Sequence, residues 1–326
     1  MRRIFIARGA AATLALTTLM FWQSVQAPWG AILPPAEPDP SILFVGDIML
    51  DRGVARHAAA SSTSSLFAQV VDLMKTADAR VANLEGSITT NPSIAQVDNS
   101  ILRFTFNPDK SKRALQIVLN LSAVSLANNH TYDFGRAGFD STQAYLREWG
   151  IKPFGQPVNA FDISTTLEVR GKQFCLVGYH SLYDPDTSEV VQEVIRLRPV
   201  CYKVIVFPHW GDEYEHMANG QQVSAAHAFV DAGADLVVGA HPHVVQNVEV
   251  YQGKAIFYSL GNFMFDQNFS WATTHGLAVK VAFGETSTAF SLTPITIKNQ
   301  EASKAIEPDA ARVLGLTGRL AEFTLP

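Results

Sequence analysis

His241 and His243 stand one residue apart with Pro242 between them, and each carries ring nitrogens that can bind a divalent cation. In a helix, positions i and i+2 diverge by about 200°, whereas an extended segment points them to the same side. Pro242 disfavours helical backbone at His241, so the spacing predicts an extended stretch whose two imidazoles face one point. A pair of surface or capping histidines has the same spacing; what separates the two readings is the company the pair keeps. Asp47, Glu85, the run Asn128-Asn129-His130, and His209 each lie just beyond a short apolar run: Ile42 to Val45, Arg80 to Leu84, Val124 to Ala127, and Lys203 to Phe207. Leu236 to Val238 leads into the histidine pair in the same way. Asp, Glu, Asn and His together are donors for zinc, manganese or iron, and no thiolate suggests a purely structural zinc site. One carboxylate can bridge two such ions about 3.5–4 Å apart, a centre that activates water for an in-line displacement.

The elements that must position these groups follow from their flanks. Short apolar runs ended by Gly-Asp, Glu-Gly, Asn-Asn-His, Pro-His and Gly-Ala-His read as buried strands. Helical spacing lies between them. Arg136 to Trp149 carries Phe139, Tyr145, Leu146 and Trp149, with Gly150 as its stop, and Gln221 to Ala232 carries Val223, Ala226 and Val230 ahead of Gly233. Strands alternating with helices predict an α/β chain with much parallel pairing, and in such sheets sites form beyond the carboxyl ends of the strands. The five ligand-bearing turns fall there.

With 326 residues, 47% of them hydrophobic, the chain is long enough for a full core, and its net charge of −5 argues against a general nucleic-acid partner. Arg2, Arg3 and Arg8 precede an uncharged, mostly apolar stretch from Gly9 to Trp22, which has the layout of an export signal. Arg-Arg-Ile-Phe-Ile resembles a twin-arginine start. Val25-Gln26-Ala27 fits a cleavage site, but Pro28 directly after it would hinder cleavage, so an uncleaved anchor stays open. Residues 1–27 are therefore read as an export signal or N-terminal anchor and 28–40 as a Pro-rich spacer. Residues 41–326 form the folded domain, placed in the periplasm or otherwise outside the cytoplasm. Cys175 and Cys201 have no C-x-x-C spacing and would pair in an exported chain; the apolar run Phe174 to Val177 favours separate burial instead.

Gly-Asp-Ile-Met-Leu-Asp-Arg (46–52), Asn-Leu-Glu (83–85), Leu-Ala-Asn-Asn-His-Thr-Tyr-Asp-Phe-Gly (126–135), His-Trp-Gly-Asp-Glu-Tyr (209–214), Gly-Ala-His-Pro-His (239–243) and Tyr-Ser-Leu-Gly-Asn-Phe (258–263) together resemble the bacterial poly-gamma-glutamate capsule family, CapA. That family is related to the calcineurin-like metallophosphoesterases, so the resemblance implies a four-layer α/β (α+β) sandwich of two mixed β-sheets flanked by helices. It implies Asp47 as first metal ligand, Glu85 as bridging carboxylate, and Asn129, His209, His241 and His243 as further ligands. His130 is implied as the group acting on the leaving group. Met49 stands where the wider superfamily has a histidine, which leaves one or two ions of Mn, Zn or Fe as the expected cofactor.

Around this set, Arg52 and Arg56 could reach a phosphate or carboxylate, or form salt bridges. Asp133 either orients His130 or caps the following helix, and Asn262 is expected to touch a polar ligand. Glu213 and Glu215 read as solvated loop residues, and His57, His180, His216, His227 and His275 as structural. The resemblance supports a metal-dependent hydrolase acting on an anionic polymer, a small phosphoester or a glutamyl substrate. The alternative is a non-catalytic, polymer-binding component working with membrane-bound capsule synthesis proteins.

Overall fold

A computed structural model of the chain describes residues 38–98, 100–158 and 162–326. The export signal or anchor expected at 1–27 and most of the spacer lie outside the described residues. The expected strands are present as Ser41–Ile48, Ala79–Leu84, Ala123–Ser125, Lys203–His209 and Leu236–Val238. The two expected helices span Gly135–Glu148 and Gly220–Asp231, the second opened by a capping box between Asn219 and Gln222.

Two large sheets carry these strands. In the first, Ser41–Ile48, Ala79–Leu84, Ala123–Ser125 and Lys152–Phe154 lie parallel, while His275–Phe283, Thr288–Lys298 and Glu301–Lys304 extend it antiparallel. In the second, Lys172–His180, Lys203–His209, Leu236–Val238 and Lys254–Phe257 are parallel, flanked by antiparallel edges at Ser164–Val169 and Val248–Tyr251. Both sheets are mixed.

Alternation along the strands sets the layers. Ile42 and Phe44 point into a core shared with Ile205, Phe207, Leu236 and Val238 of the second sheet. Leu43 and Val45 point the other way, against Val54 and Ala58 of the helix Arg52–Ala60 and Phe139 and Leu146 of Gly135–Glu148. On the far side, Val204, Val206 and Val237 pack on Val190, Val194 and Leu197 of Ser188–Leu197 and on Ala226, Phe229 and Val230 of Gly220–Asp231. The order is helices, sheet, sheet, helices, the expected four-layer sandwich. Strands buried on both faces explain why their sequences read as unbroken apolar runs.

The cysteine expectation is corrected. Cys175 and Cys201 are buried, but they form a disulfide, with their Cα atoms 5.9 Å apart. Cys175 lies opposite Val204 in the parallel pairing of Lys172–His180 with Lys203–His209, which brings the chain just before Lys203 alongside it. The apolar run around Cys175 dictates its burial; the register that delivers its partner is a long-range property.

Candidate metal centre

Carboxyl ends from both sheets supply the site. Asp47 sits near the end of its strand, where the pairing register shifts between Asp47 and Ile48, and Glu85 follows Ala79–Leu84 directly. His209 ends its strand, and Ala240, just before His241, bridges to it. Two glycines permit the crowding. A Cβ on Gly46 would lie 1.8 Å from the Gly261 carbonyl oxygen, and one on Gly239 would lie 2.0 Å from that of Tyr258.

Asp47 and Glu85 have no solvent exposure, and His243 stands between them, with Nδ1 3.3 Å from Asp47 Oδ2 and Nε2 3.6 Å from Glu85 Oε1. Asn129 Oδ1 lies 2.8 Å from His209 Nε2, and the His209 and His241 ring centroids are 4.7 Å apart. His130 Nε2 approaches Glu85 Oε1 at 4.0 Å. The expected ligands and His130 are thus brought together. Asn83 joins them: its Nδ2 lies 2.7 Å from Asp47 Oδ1, 3.3 Å from Glu85 Oε2 and 3.4 Å from His209 Nδ1, and its Oδ1 accepts from Asn128 Nδ2. Sequence reasoning passed over it, although strand alternation puts Asn83 on the face of Glu85.

These groups fit a cation. Glu85 Oε1 and His241 Nδ1 are buried with no hydrogen-bond partner among the described residues, and a buried polar atom left so is costly unless a ligand completes it. Burial pushes the Glu85 carboxyl well above its usual range, with Asp47 adding to the push. Burial works to lower His243, but Glu85 and Asp47 outweigh it and raise the ring to about 9. The trio therefore holds a proton where positive charge is needed. Burial, with neighbouring imidazoles adding to it, pushes His241 down to about 3 and His209 well below its ordinary value, which leaves both neutral and ready to ligate. Asp47, Glu85 and His243 place ligand atoms within 4.8 Å of one another.

The surrounding residues resolve several expectations. Asp133 Oδ2 lies 2.9 Å from His130 Nδ1 and also accepts the Phe104 N–H, whereas Phe134 occupies the helix N-cap; Asp133 orients the imidazole. Asn262 is engaged by protein groups. Its Oδ1 lies 3.0 Å from His243 Nδ1 and its Nδ2 donates to Gln267 and the Thr273 carbonyl, so it fixes which His243 nitrogen is free. Arg52 is buried in an ion pair with Asp266 and stacks over Phe104, whose ring lies 4.3 Å from that of His130. Met49 belongs to the apolar core, and its sulfur accepts the Asp51 N–H at 3.0 Å.

His241 and His243 do not lie on extended backbone: their φ angles are +98° and +59°. The turn after Leu236–Val238 is too tight for a strand, and its conformation, not alternation, sets the ring directions; their centroids are 5.9 Å apart. Glu213, read as a solvated loop residue, places its carboxylate with His241 and His243. His180, read as structural, is buried with its ring 5.8 Å from His209, and burial lowers it to about 4; no local motif marked it.

Comparison with known proteins agrees with the motifs. Residues 41–267 match the family described as bacterial capsule synthesis protein PGA_cap. The PGA biosynthesis protein CapA of Bacillus subtilis (strain 168) is 32% identical over 278 residues, covering 79% of this chain and 71% of that protein. The capsule biosynthesis protein CapA of Bacillus anthracis is 29% identical over 261 residues, covering 73% of this chain and 62% of that protein. Among solved structures, TT1561 of Thermus thermophilus superposes with a TM-score of 0.41 at 12% identity, over 82% of this chain and 98% of that one. The chain belongs to the bacterial capsule synthesis protein PGA_cap family.

Proposed function

We propose that this protein is an exported, metal-dependent hydrolase of poly-gamma-glutamate capsule synthesis. The observation that carries the reading is Glu85: a carboxylate with no solvent exposure, one oxygen without a donor, beside a second buried carboxylate and within 4.0 Å of a histidine that is not needed for binding a cation. A divalent ion held by Asp47, Glu85, Asn129, His209, His241 and His243 supplies Lewis-acid polarisation and activation of water. Zinc, manganese and iron all suit this donor set.

The chain's own residues do the rest. Asp133 fixes Nδ1 of His130 as the protonated nitrogen, so Nε2 faces Glu85 and handles the proton of the reaction. As water adds to the phosphorus or acyl carbon its proton passes to Nε2 of His130, and the bond to the leaving oxygen or nitrogen breaks as that atom takes the proton from Nε2. Phe104 covers one face of the imidazole, and the Arg52–Asp266 pair fixes the wall behind it.

Export is supported by the basic, then apolar N-terminal pattern and by the Cys175–Cys201 disulfide, a bond that persists in oxidising compartments. The second reading, a polymer-binding component without turnover, is favoured by one observation: Met49 contributes to the core and not to the centre.

Metal analysis of protein purified without chelator, followed by assays on phosphoesters and gamma-glutamyl peptides with added manganese or zinc, tests the proposal. Turnover should fall about 10²–10⁴-fold in His130→Ala at unchanged metal content. Turnover indifferent to that change defeats the role given to His130. Polymer binding without any turnover establishes the second reading.

A further inference from the structure

Met49 leaves the centre one imidazole short of the set expected in the wider superfamily, and the structure offers a different donor. We propose that Glu213 is a direct metal ligand, brought in by the loop after Lys203–His209 to close the cation site on its solvent side with His241 and His243. This rests on the reading of the buried cluster as a metal centre.

Ligand atoms of Glu213, His241 and His243 all lie within 4.8 Å of one another, and this group shares His243 with the buried group of Asp47 and Glu85. The two groups adjoin, one wholly buried and one with an exposed carboxylate. His241 is only 4% exposed, and its Nδ1 has no hydrogen-bond partner among the described residues. No Lys or Arg pairs with Glu213 among the described residues, so its charge is not already matched by a side-chain cation.

Loop and histidine turn are tied together. The Tyr214 N–H donates to the Pro242 carbonyl at 2.8 Å, which places Glu213 against the residues on either side of Pro242. Tyr214, at φ +69°, joins His241 and His243 in the left-handed region, so three non-glycine residues on two touching turns adopt a backbone that their side chains disfavour. Such conformations persist where surrounding structure enforces them and are concentrated at ligand clamps. Two imidazoles and a carboxylate form a familiar donor set for zinc and related ions.

The test is metal titration of the full chain after stripping, using zinc or manganese in competition with a chromophoric chelator, for wild type, E213Q and E213D. E213Q should bind at least about 10–100-fold more weakly, since even groups that only orient a ligand cost that much. E213D should recover part of the loss, and the melting temperature of the metal-free protein should be the same in all three. Equal affinity and stoichiometry in wild type and E213Q overturns Glu213 as a ligand while leaving the buried centre standing. A folded wild type that takes up no ion overturns the centre and this ligand together.

Discussion

At the scale of single residues, the site separates groups able to hold a cation from groups that aim them. Asn262 belongs to the second kind: its amide oxygen engages His243 Nδ1, which leaves Nε2 directed at Glu85. Asn262→Ala should retain the fold yet weaken zinc or manganese binding by about 10–100-fold, measured by chelator competition; unchanged affinity would show that His243 is oriented by its packing alone. Asp133→Asn replaces a carboxylate that can only accept with an amide that can donate to Nδ1 and favour the other His130 tautomer, so it should lower turnover while metal content stays at the wild-type level. Loss of metal in that variant would mean that His130 helps to bind the ion. The residue types of this centre were legible because Asp47, Glu85, His130, His209, His241 and His243 each follow an apolar run. Glu213 and His180 were not, because what recruits them is a backbone hydrogen bond across two loops in one case and burial beside His209 in the other.

At the scale of elements, strands and helices could be read to within a few residues wherever burial on both faces wrote an apolar run. Register could not, since it depends on partners far away in the chain. Two consequences are testable. Gly46→Ala sets a Cβ against the Gly261 carbonyl at the point where Ser41–Ile48 delivers Asp47, so it should cost about 3 kcal/mol or more and reduce metal uptake as well. Gly315→Ala, in the helix Asp309–Thr317 with open space around it, should instead stabilise by about 0.5–1 kcal/mol in the same denaturant titration. The disulfide closes a separation of 26 residues, which the chain-entropy account values at about 3.5 kcal/mol. Cys201 precedes the amino end of Lys203–His209, whose carboxyl end carries the proposed ligand His209, and Cys175 lies in the neighbouring strand Lys172–His180. A Cys175→Ser, Cys201→Ser double variant should therefore melt several degrees lower and keep its metal. Loss of the ion from the folded variant would show that the two ends of the second sheet are coupled.

At the scale of the whole molecule, the same disulfide bears on where the protein works. Helices on both faces leave the two sheets buried, and no helix among the described residues is long and apolar enough to cross a membrane. The segment proposed to direct export is the N-terminal one, where Arg2, Arg3 and Arg8 precede an uncharged apolar stretch. Cytosolic reductants keep thiols reduced, whereas a buried disulfide formed in an oxidising compartment resists later reduction. Export and pairing should then be coupled. In the full chain, alkylation with a maleimide after rapid acid quench should label neither cysteine until a reductant is added under denaturing conditions. Removing residues 1–27 should hold the protein in the cytoplasm with both thiols reactive, and a C-terminal reporter that works only outside the cytoplasm should lose its signal. A reporter active only in the cytoplasm that stays active on the full chain would place residues 41–326 on the inner side, and the polymer-directed role proposed here would then have to act before export.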